Sequence, residues 1–374
     1  MFGKEILEVL YSPIKAFKKI VEKPDFKAVL LVLLLVISST VVLQFVYNDK
    51  QLYEVRAPED DDWTEALSGQ YDWDATDSIS LDATNYQMGN NSISSSVMGS
   101  TSIWLKLSEI DSINCSEAGY TELFFWINMT NQDGLSASSA TLKLFSGSEA
   151  SYFETDLGSL LPSNKDWGNI TLNVGSTQGW ISVGSPDWQN ITGLEFMAVW
   201  SSSSDLTLKI DGLFFRNYVS PIESAGLETA LLYILFSVTF SVGINWILWS
   251  GLVFIVAKLF GEDLGKWNAF FVIIGHVFIA TAVYTLISAL IFTYLPILTM
   301  PVEYDLQVAA FSATWLSNIV YQVGTVLLYA GEIWVAALSA VVLKTMKDIP
   351  WGKAATISVL AFALRFALSY FFGI

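Results

Sequence analysis

Two kinds of hydrophobic pattern divide this chain. From Val29 to Tyr47 the residues VLLVLLLVISSTVVLQFVY run without a charge for 19 positions, which as a helix rising about 1.5 Å per residue is enough to cross a hydrocarbon core of roughly 30 Å. After residue 225 the apolar content becomes nearly continuous, with breaks at 261–268, 296–305 and 344–353. That pattern predicts four further spans, at about 227–259, 268–295, 314–344 and 354–373. The second crossing is long and is expected to tilt or to begin outside the bilayer.

Between these blocks the period changes. Short alternating runs recur at 103–107, 122–128, 140–145, 167–174, 194–200 and 206–215, separated by Gly, Ser, Asn and Asp. In Leu206, Leu208 and Ile210 the apolar members share one face, the signature of a half-buried strand. Several such strands in about 145 residues, without a convincing helix, predict an antiparallel all-β sandwich at 76–217. Residues 48–75, with Glu59, Asp60, Asp61 and Asp62 in a row, are expected to form an acidic, partly structured stalk.

Composition sharpens the division. The 374 residues carry 36 acidic and 19 basic groups, a net −17, on a chain that is 53% hydrophobic. Residues 48–225 hold 25 acidic and 7 basic groups, which leaves 11 and 12 for everything else. The whole negative charge therefore belongs to the inserted segment. Such a surface repels phosphates, which argues against nucleic acid as a partner. Lys4, Lys15, Lys18, Lys19, Lys23 and Lys27 precede the first span, Lys258 and Lys266 flank the first break, and Lys344, Lys347 and Lys353 lie in the last, whereas the break at 296–305 has only Glu303 and Asp305. The positive-inside rule then gives a cytoplasmic N-terminus, residues 48–225 outside, and an extracytoplasmic C-terminus in the cell membrane. A cleaved signal peptide is the alternative for the first run, but the stretch 1–27 that precedes it is longer than a usual n-region and no A-x-A-like site follows. Sequons at Asn90, Asn114, Asn128, Asn169 and Asn190 all fall in the segment assigned to the outside, as glycosylation would require. One cysteine, Cys115, excludes an internal disulfide.

The segment Asp187-Trp188-Gln189-Asn190-Ile191-Thr192-Gly193-Leu194-Glu195-Phe196, followed by Ile210-Asp211-Gly212-Leu213-Phe214-Phe215, resembles the closing strands of jelly-roll carbohydrate-binding modules and the galactose-binding-like fold. This resemblance implies a jelly-roll sandwich, a glycan or surface protein as partner, and a structural calcium near Asp82 and Asp211. Asp211 is equally readable as a turn carboxylate capping its own backbone. Trp104, Trp126 and Trp188 are candidates for a sugar-stacking platform, against the alternative that such residues pack in the core.

The membrane blocks resemble a second family. Ser12-Pro13-Ile14-Lys15-Ala16-Phe17-Lys18-Lys19-Ile20 with Pro24, then Trp246 and Trp249 upstream of Ala257-Lys258-Leu259-Phe260-Gly261 with Gly275 beyond, then Ile333-Trp334, Leu343-Lys344 and Gly352-Lys353-Ala354, are similar in order and spacing to prokaryotic members of the Yip domain family. Those are five-pass proteins named for interaction with Ypt/Rab GTPases. The chain departs from that pattern at Gly275-His276, where the family has a Gly-Tyr pair and then a proline, and it lacks the acidic segment of the trafficking members. What the resemblance implies is a five-helix membrane fold, and Rab binding is not carried over.

Ile6, Leu10, Ile14, Phe17 and Val21 recur at helical spacing in the segment 1–27, predicting an amphipathic stretch broken at Pro13 that lies on the anionic leaflet or packs on the ends of the spans. Within the spans the polar exceptions are few. Glu332 stands as far along the chain from Lys344 as Arg365 stands from Lys353, so on consecutive antiparallel helices they share a depth and are expected to pair, with Asn245 close by. His276, the single histidine, is expected to bond between helices or, alternatively, to act as a proton relay. There is no H-E-x-x-H, no G-x-S-x-G and no Cys/His cluster. The reading is an integral membrane protein without enzymatic activity, a scaffold or surface-binding module with lipid, glycan and membrane-protein partners. Its alternative is a small transporter or channel using Asn245, His276, Glu332 and Arg365.

Overall fold

The computed structural model describes residues 2–69, 71–175 and 179–372. The chain divides into two compact units, Met1–Tyr53 with Val219–Ile374, and Glu54–Tyr218. The chain enters through helices α1 (Phe2–Tyr11) and α2 (Pro13–Glu22), which lead to the first long apolar helix, α3 (Phe26–Asp49), capped by Asp25. Strand β1 (Gln51–Ala57) follows, then a single helical turn α4 (Asp62–Glu65) and the strands β2 (Asp72–Ala75), β3 (Ser78–Asp82), β4 (Ser92–Ser108), β5 (Glu122–Asn131), β6 (Ser139–Ser148), β7 (Ser151–Asp156), β8 (Trp167–Asn173), β9 (Ile181–Val183) and β10 (Ile191–Val219). Helices α5 (Pro221–Ala225), α6 (Leu227–Leu259), α7 (Trp267–Gly275) and α8 (Ile279–Phe292), strand β11 (Leu298–Met300), and helices α9 (Tyr304–Phe311), α10 (Ile319–Lys347) and α11 (Trp351–Phe372) complete it.

The β unit is built on two long strands. The first part of β10 pairs with the end of β4 and with β6, and its second part pairs with the start of β4 and with β5. A register break at Val199/Ser204 separates the two parts. One half of the sheet therefore runs β2, β4, β10, β6, β7, β9, and the other β3, β4, β10, β5, β8. The halves face each other across a shared core. Phe125 of β5 and Phe196 of β10 meet there edge to face at 4.8 Å, and Ile103, Leu105, Leu107, Leu142, Leu144, Leu208 and Ile210 are buried around them. Alternation along each strand produces this, because every second side chain points into the gap. The expected strands at 194–200 and 206–215 are one bent strand.

The expected stalk at 48–75 is corrected. Its residues form β1, α4 and β2, and Trp63 and Trp73 lie in the sandwich core, joined by a 2.7 Å bond from Trp73 Nε1 to the Trp63 carbonyl. Acidic residues dominate the composition there, but the two tryptophans between them decide the fold.

In the other unit, α3, α6, α7 with α8, α10 and α11 are, among the described residues, the five helices long and apolar enough to cross a membrane, which makes this a multi-pass membrane protein. The third span is one helix interrupted by a tight turn at His276–Phe278. The fourth begins later than its apolar run: a π-helical turn at Ser312–Leu316 intervenes, and the Asn318 carboxamide caps α10 by accepting from the Val320 N–H at 2.8 Å. Close approach of α8 and α10 depends on two glycines. A Cβ on Gly324 would fall 2.0 Å from a carbon of the buried Phe292 ring, and one on Gly331 would fall 2.8 Å from Tyr284 Cβ. Small residues at helix interfaces serve the same purpose in membranes generally, where dispersion replaces the hydrophobic effect. Helices α1 and α2 pack on this bundle through Ile6, Val9, Ala16, Phe17 and Ile20, so the entry segment is part of its core. Glu8, buried at the α1/α2 turn, holds Lys19 at 2.7 Å and Lys15 at 3.4 Å. Leu7, Tyr11 and Ile14 remain exposed.

Candidate functional site

On the half-sheet β2-β4-β10-β6-β7 the side chains that alternate away from the core form ordered rows. Register places Asp74 opposite Lys106, Lys106 opposite Glu195, Glu195 opposite Lys143, and Lys143 opposite Glu154. Charges alternate across five strands, the cross-strand arrangement that stabilises a solvated sheet face. The ion pairs are short: Lys143 to Glu195 at 2.7 Å and Lys106 to Glu149 at 3.0 Å. The Glu149 hydrogen bond holds the Lys106 ammonium above its ordinary pKa. Burial favours neutral Lys143, but its bond to Glu195 together with the electrostatic pull of Glu195, Tyr152 and Glu154 moves it upward as well.

Two residues along each strand, the next row is Trp104, Met197, Thr141 and Asp156. Trp104 is half-buried, with the Lys106 ammonium 5.9 Å from its ring centre. On the opposite side of the charged row Tyr152 stands over Lys143 at 5.4 Å. Three strand spacings and four residues separate Trp104 from Tyr152, a diagonal of roughly 20 Å at about 4.8 Å per strand and 3.3 Å per residue. The face thus presents aromatic rings at its two ends and a lattice of donors and acceptors between them. Sequence reading found Trp104 but missed Tyr152, Lys106, Lys143 and Glu195. The signal was present as the polar members of alternating strands, but it acquires meaning only once the register aligns them.

The three candidate tryptophans do not share a platform. Trp126 lies on the other half-sheet, next to Phe125, which points into the core, so Trp126 faces away from the sandwich on the side opposite Trp104. Trp188 is packed against the core, stacked flat on Phe153 at 3.7 Å and edge-on to Trp180 at 5.6 Å, so its ring is already occupied.

The calcium expected at Asp82 and Asp211 does not fit the residues as placed. Asp82 holds the Lys209 ammonium at 2.5 Å and accepts from Thr84, which keeps its carboxyl well below the usual range. Asp211 is fully buried and accepts from the backbone N–H groups of Gln87, Met88 and Gly212 and from the Thr64 hydroxyl. These donors occupy the lone pairs that a cation would need, and among the described residues no group of three or more His, Cys, Asp or Glu converges as a ligand set. Asp211 is a structural acceptor, closer to the turn-capping alternative. Beside it Asp61 bonds Thr64 through Oδ1 while its other oxygen is buried without a partner, and burial raises its pKa to about 7.

Of the sequons, Asn90, Asn114, Asn169 and Asn190 are exposed. Asn128 is 2% exposed and donates to the Lys165 carbonyl at 2.7 Å, which leaves its amide no room for a glycan. Cys115 is fully buried, and burial pushes its thiol up to about 12.

In the membrane unit, Arg365 Nη1 donates to Glu332 Oε2, Nη2 donates to Asn245 Oδ1 at 3.2 Å, and the guanidinium lies 5.8 Å from the centre of the Trp249 ring. Trp249 is itself fully buried and fixed by a 3.0 Å bond from Nε1 to Ser339 Oγ. These bonds join three of the four intramembrane candidates. The fourth, His276, is 2% exposed and turns its Nδ1 back along its own helix, near the carbonyls of Val272 and Ile273.

No family model matches the chain, and no curated protein matches it. The resemblance to the Yip domain family therefore stands on the quoted motifs alone. Solved structures with a similar fold include the family 11 carbohydrate-binding module of the cellulosomal cellulase Lic26A-Cel5E of Clostridium thermocellum, at 12% identity and a TM-score of 0.30 over 45% of this chain and 94% of that one. The family 30 carbohydrate-binding module of cellulosomal cellulase Cel9D-Cel44B of the same organism matches at 12% identity and a TM-score of 0.29, over 42% and 91%. An exo-beta-agarase matches at 12% identity and a TM-score of 0.32, over 44% of this chain and 25% of that one.

Proposed function

We propose that the protein is a membrane-anchored binding module without enzymatic activity, and that its working surface is the outward face carrying Trp104, Lys106, Glu195, Lys143 and Tyr152. The observation that carries this is the alternation of fixed donors and acceptors between two rings roughly 20 Å apart. A hydroxyl-rich polymer, a surface glycan or an envelope polysaccharide, matches that layout, because its hydroxyls both donate and accept while its sugar faces stack on aromatic rings. Ion pairs hold the polar side chains in place before a ligand arrives, which reduces the entropy lost on binding. The five helices anchor and scaffold the module; their motif order supports a Yip-type bundle, with the sandwich inserted between its first two spans.

The test is binding of full-length protein in nanodiscs to an array of surface polysaccharides. Trp104→Ala should lower the affinity for the best ligand at least tenfold while leaving the melting behaviour unchanged, and Trp126→Ala should leave binding intact. Equal binding by wild type and Trp104→Ala would sink the assignment of the face. A transporter is the second reading, favoured by the half-buried Glu332 and Arg365 between spans; flux into proteoliposomes that disappears in Glu332→Gln would establish it.

A further inference from the structure

Between α3, α8 and α10 the membrane unit forms a half-open cavity of about 310 Å³ with the exposed Tyr329 on its wall, at the small end of ligand-site volumes. Its walls carry four tyrosines, Tyr47, Tyr284, Tyr321 and Tyr329, together with Thr281 and Glu332; the remaining lining is two threonines and a leucine. Every polar side chain on this wall is therefore an oxygen group, and the single formal charge is the Glu332 carboxylate. A second cavity of about 210 Å³ shares Tyr329 and Glu332 and reaches Arg365.

Three observations indicate what the larger cavity would hold. The Thr281 hydroxyl is buried without a hydrogen-bond partner, which in a folded protein points to something polar that belongs beside it. Glu332 gives one oxygen to Arg365, while Oε1 has no hydrogen-bond partner among the described residues. Arg365 does not depend on Glu332 alone, because Asn245 Oδ1 and the Trp249 ring also hold it. The carboxylate thus retains an accepting oxygen at the edge of an aromatic, hydroxyl-lined space. An anion finds no cationic or amide donor among the residues of these walls and is repelled by Glu332. A cation finds a carboxylate, hydroxyl lone pairs and tyrosine faces, whose quadrupoles attract alkylated ammonium groups.

We infer that this cavity is a binding site for a small organic ammonium ion, held by Glu332 Oε1 and the faces of Tyr284 and Tyr329, with Tyr47 and Tyr321 closing one end. Aromatic packing fixes that end, with Tyr47 5.0 Å from Phe292 and 5.5 Å from Trp315, and Tyr321 5.7 Å from Phe311. This inference is independent of the glycan reading of the sandwich face.

Full-length protein in nanodiscs would be titrated calorimetrically with choline and with its neutral isostere 3,3-dimethylbutan-1-ol. Saturable choline binding at least tenfold tighter than binding of the isostere is expected, because only the charge differs. Tyr329→Leu should weaken choline at least tenfold, and the double variant Glu332→Gln with Arg365→Gln, which leaves no unpaired charge, should abolish the preference for the cation. Trp104→Ala should bind choline as wild type does. Equal affinity for the two compounds, absence of saturation, or unchanged choline binding in folded Tyr329→Leu would overturn the assignment.

Discussion

The two units handle buried charge in opposite ways. In the membrane unit an ion pair of half-buried partners is tied into a chain of named contacts, from Asn245 through Arg365 to Glu332, with Trp249 beneath the guanidinium. In the sandwich, two neighbouring carboxylates, half-buried Asp61 and fully buried Asp211, are held by hydroxyl and backbone donors. The difference follows from the surroundings. Lipid offers no water to an unpaired charge, so pairing is enforced, whereas a soluble sandwich can protonate a carboxylate and keep it buried.

Breaking the membrane pair should therefore have the largest effect. Glu332→Ala leaves the guanidinium among apolar helices with only Asn245 and the Trp249 ring to hold it, and removing one partner of a fully buried pair costs about 3–5 kcal/mol, an upper bound for this half-buried one. Folded yield and the detergent melting temperature should fall sharply in Glu332→Ala and Arg365→Ala, and the exchange Glu332→Arg with Arg365→Glu should recover most of the loss. Equal stability of all three variants would show that the pair is incidental. Next in size is Gly324→Ala, which tests the helix contact that brings these residues together. Its new methyl must displace the fully buried Phe292 ring from 2.0 Å, and overpacking of that kind costs about 1–3 kcal/mol. A melting temperature equal to wild type in Gly324→Ala would show that α8 and α10 separate easily.

The ion pair follows from spacing alone, because two antiparallel helices with lysines at their ends measure depth residue by residue, and Glu332 and Arg365 stand equally far from Lys344 and Lys353. Five spans were legible for the same reason, since length and apolarity are one-dimensional properties. The sandwich was harder. Ser92–Ser100, SISSSVMGS, forms half of β4 although serine dominates it, because the pairing of Ile93 with Ile210 and of Val97 with Leu206 supplies the apolar contacts that its own sequence lacks. Likewise the acidic residues around Trp63 and Trp73 hide that their segment belongs to the sandwich, and the row from Asp74 to Glu154 draws on five strands far apart in sequence. The cavity at Tyr47 and Tyr329 needs three helices to exist at all.

The sandwich carboxylates should give a pH dependence of intermediate size. Asp61 ionises at about 7 when folded and near 3.9 when unfolded. Between those values the folded unit binds a proton that the unfolded chain does not, so stability falls as pH rises through that window. The full cost is reached above about 7 and vanishes below about 4. Asp211, also raised by burial, adds with the same sign. Asp82 is held low chiefly by its hydrogen bond to Lys209, and its contribution is lost as pH falls below the usual carboxylate range. Scanning calorimetry of the full chain should therefore show the sandwich transition highest near about pH 4, at the carboxylate reference values, and declining from there toward about pH 7. Asp61→Asn should flatten the decline toward pH 8, and an unaltered decline would assign the effect elsewhere.

The smallest effect on stability should come from the working face itself. Glu149 is 65% exposed where it meets Lys106, and surface pairs of this kind contribute about 0–1 kcal/mol. Glu149→Gln should leave stability within about 1 kcal/mol of wild type, yet it frees the Lys106 ammonium from one of its two acidic partners. If the lattice serves to hold donors in position for a ligand, glycan affinity should change severalfold in Glu149→Gln while stability does not. If the lattice serves only the sheet, neither quantity should move. This contrast separates the two units most sharply: in the membrane the ion pair is expected to determine whether the bundle folds, and on the sandwich the ion pairs are expected to determine what the surface binds.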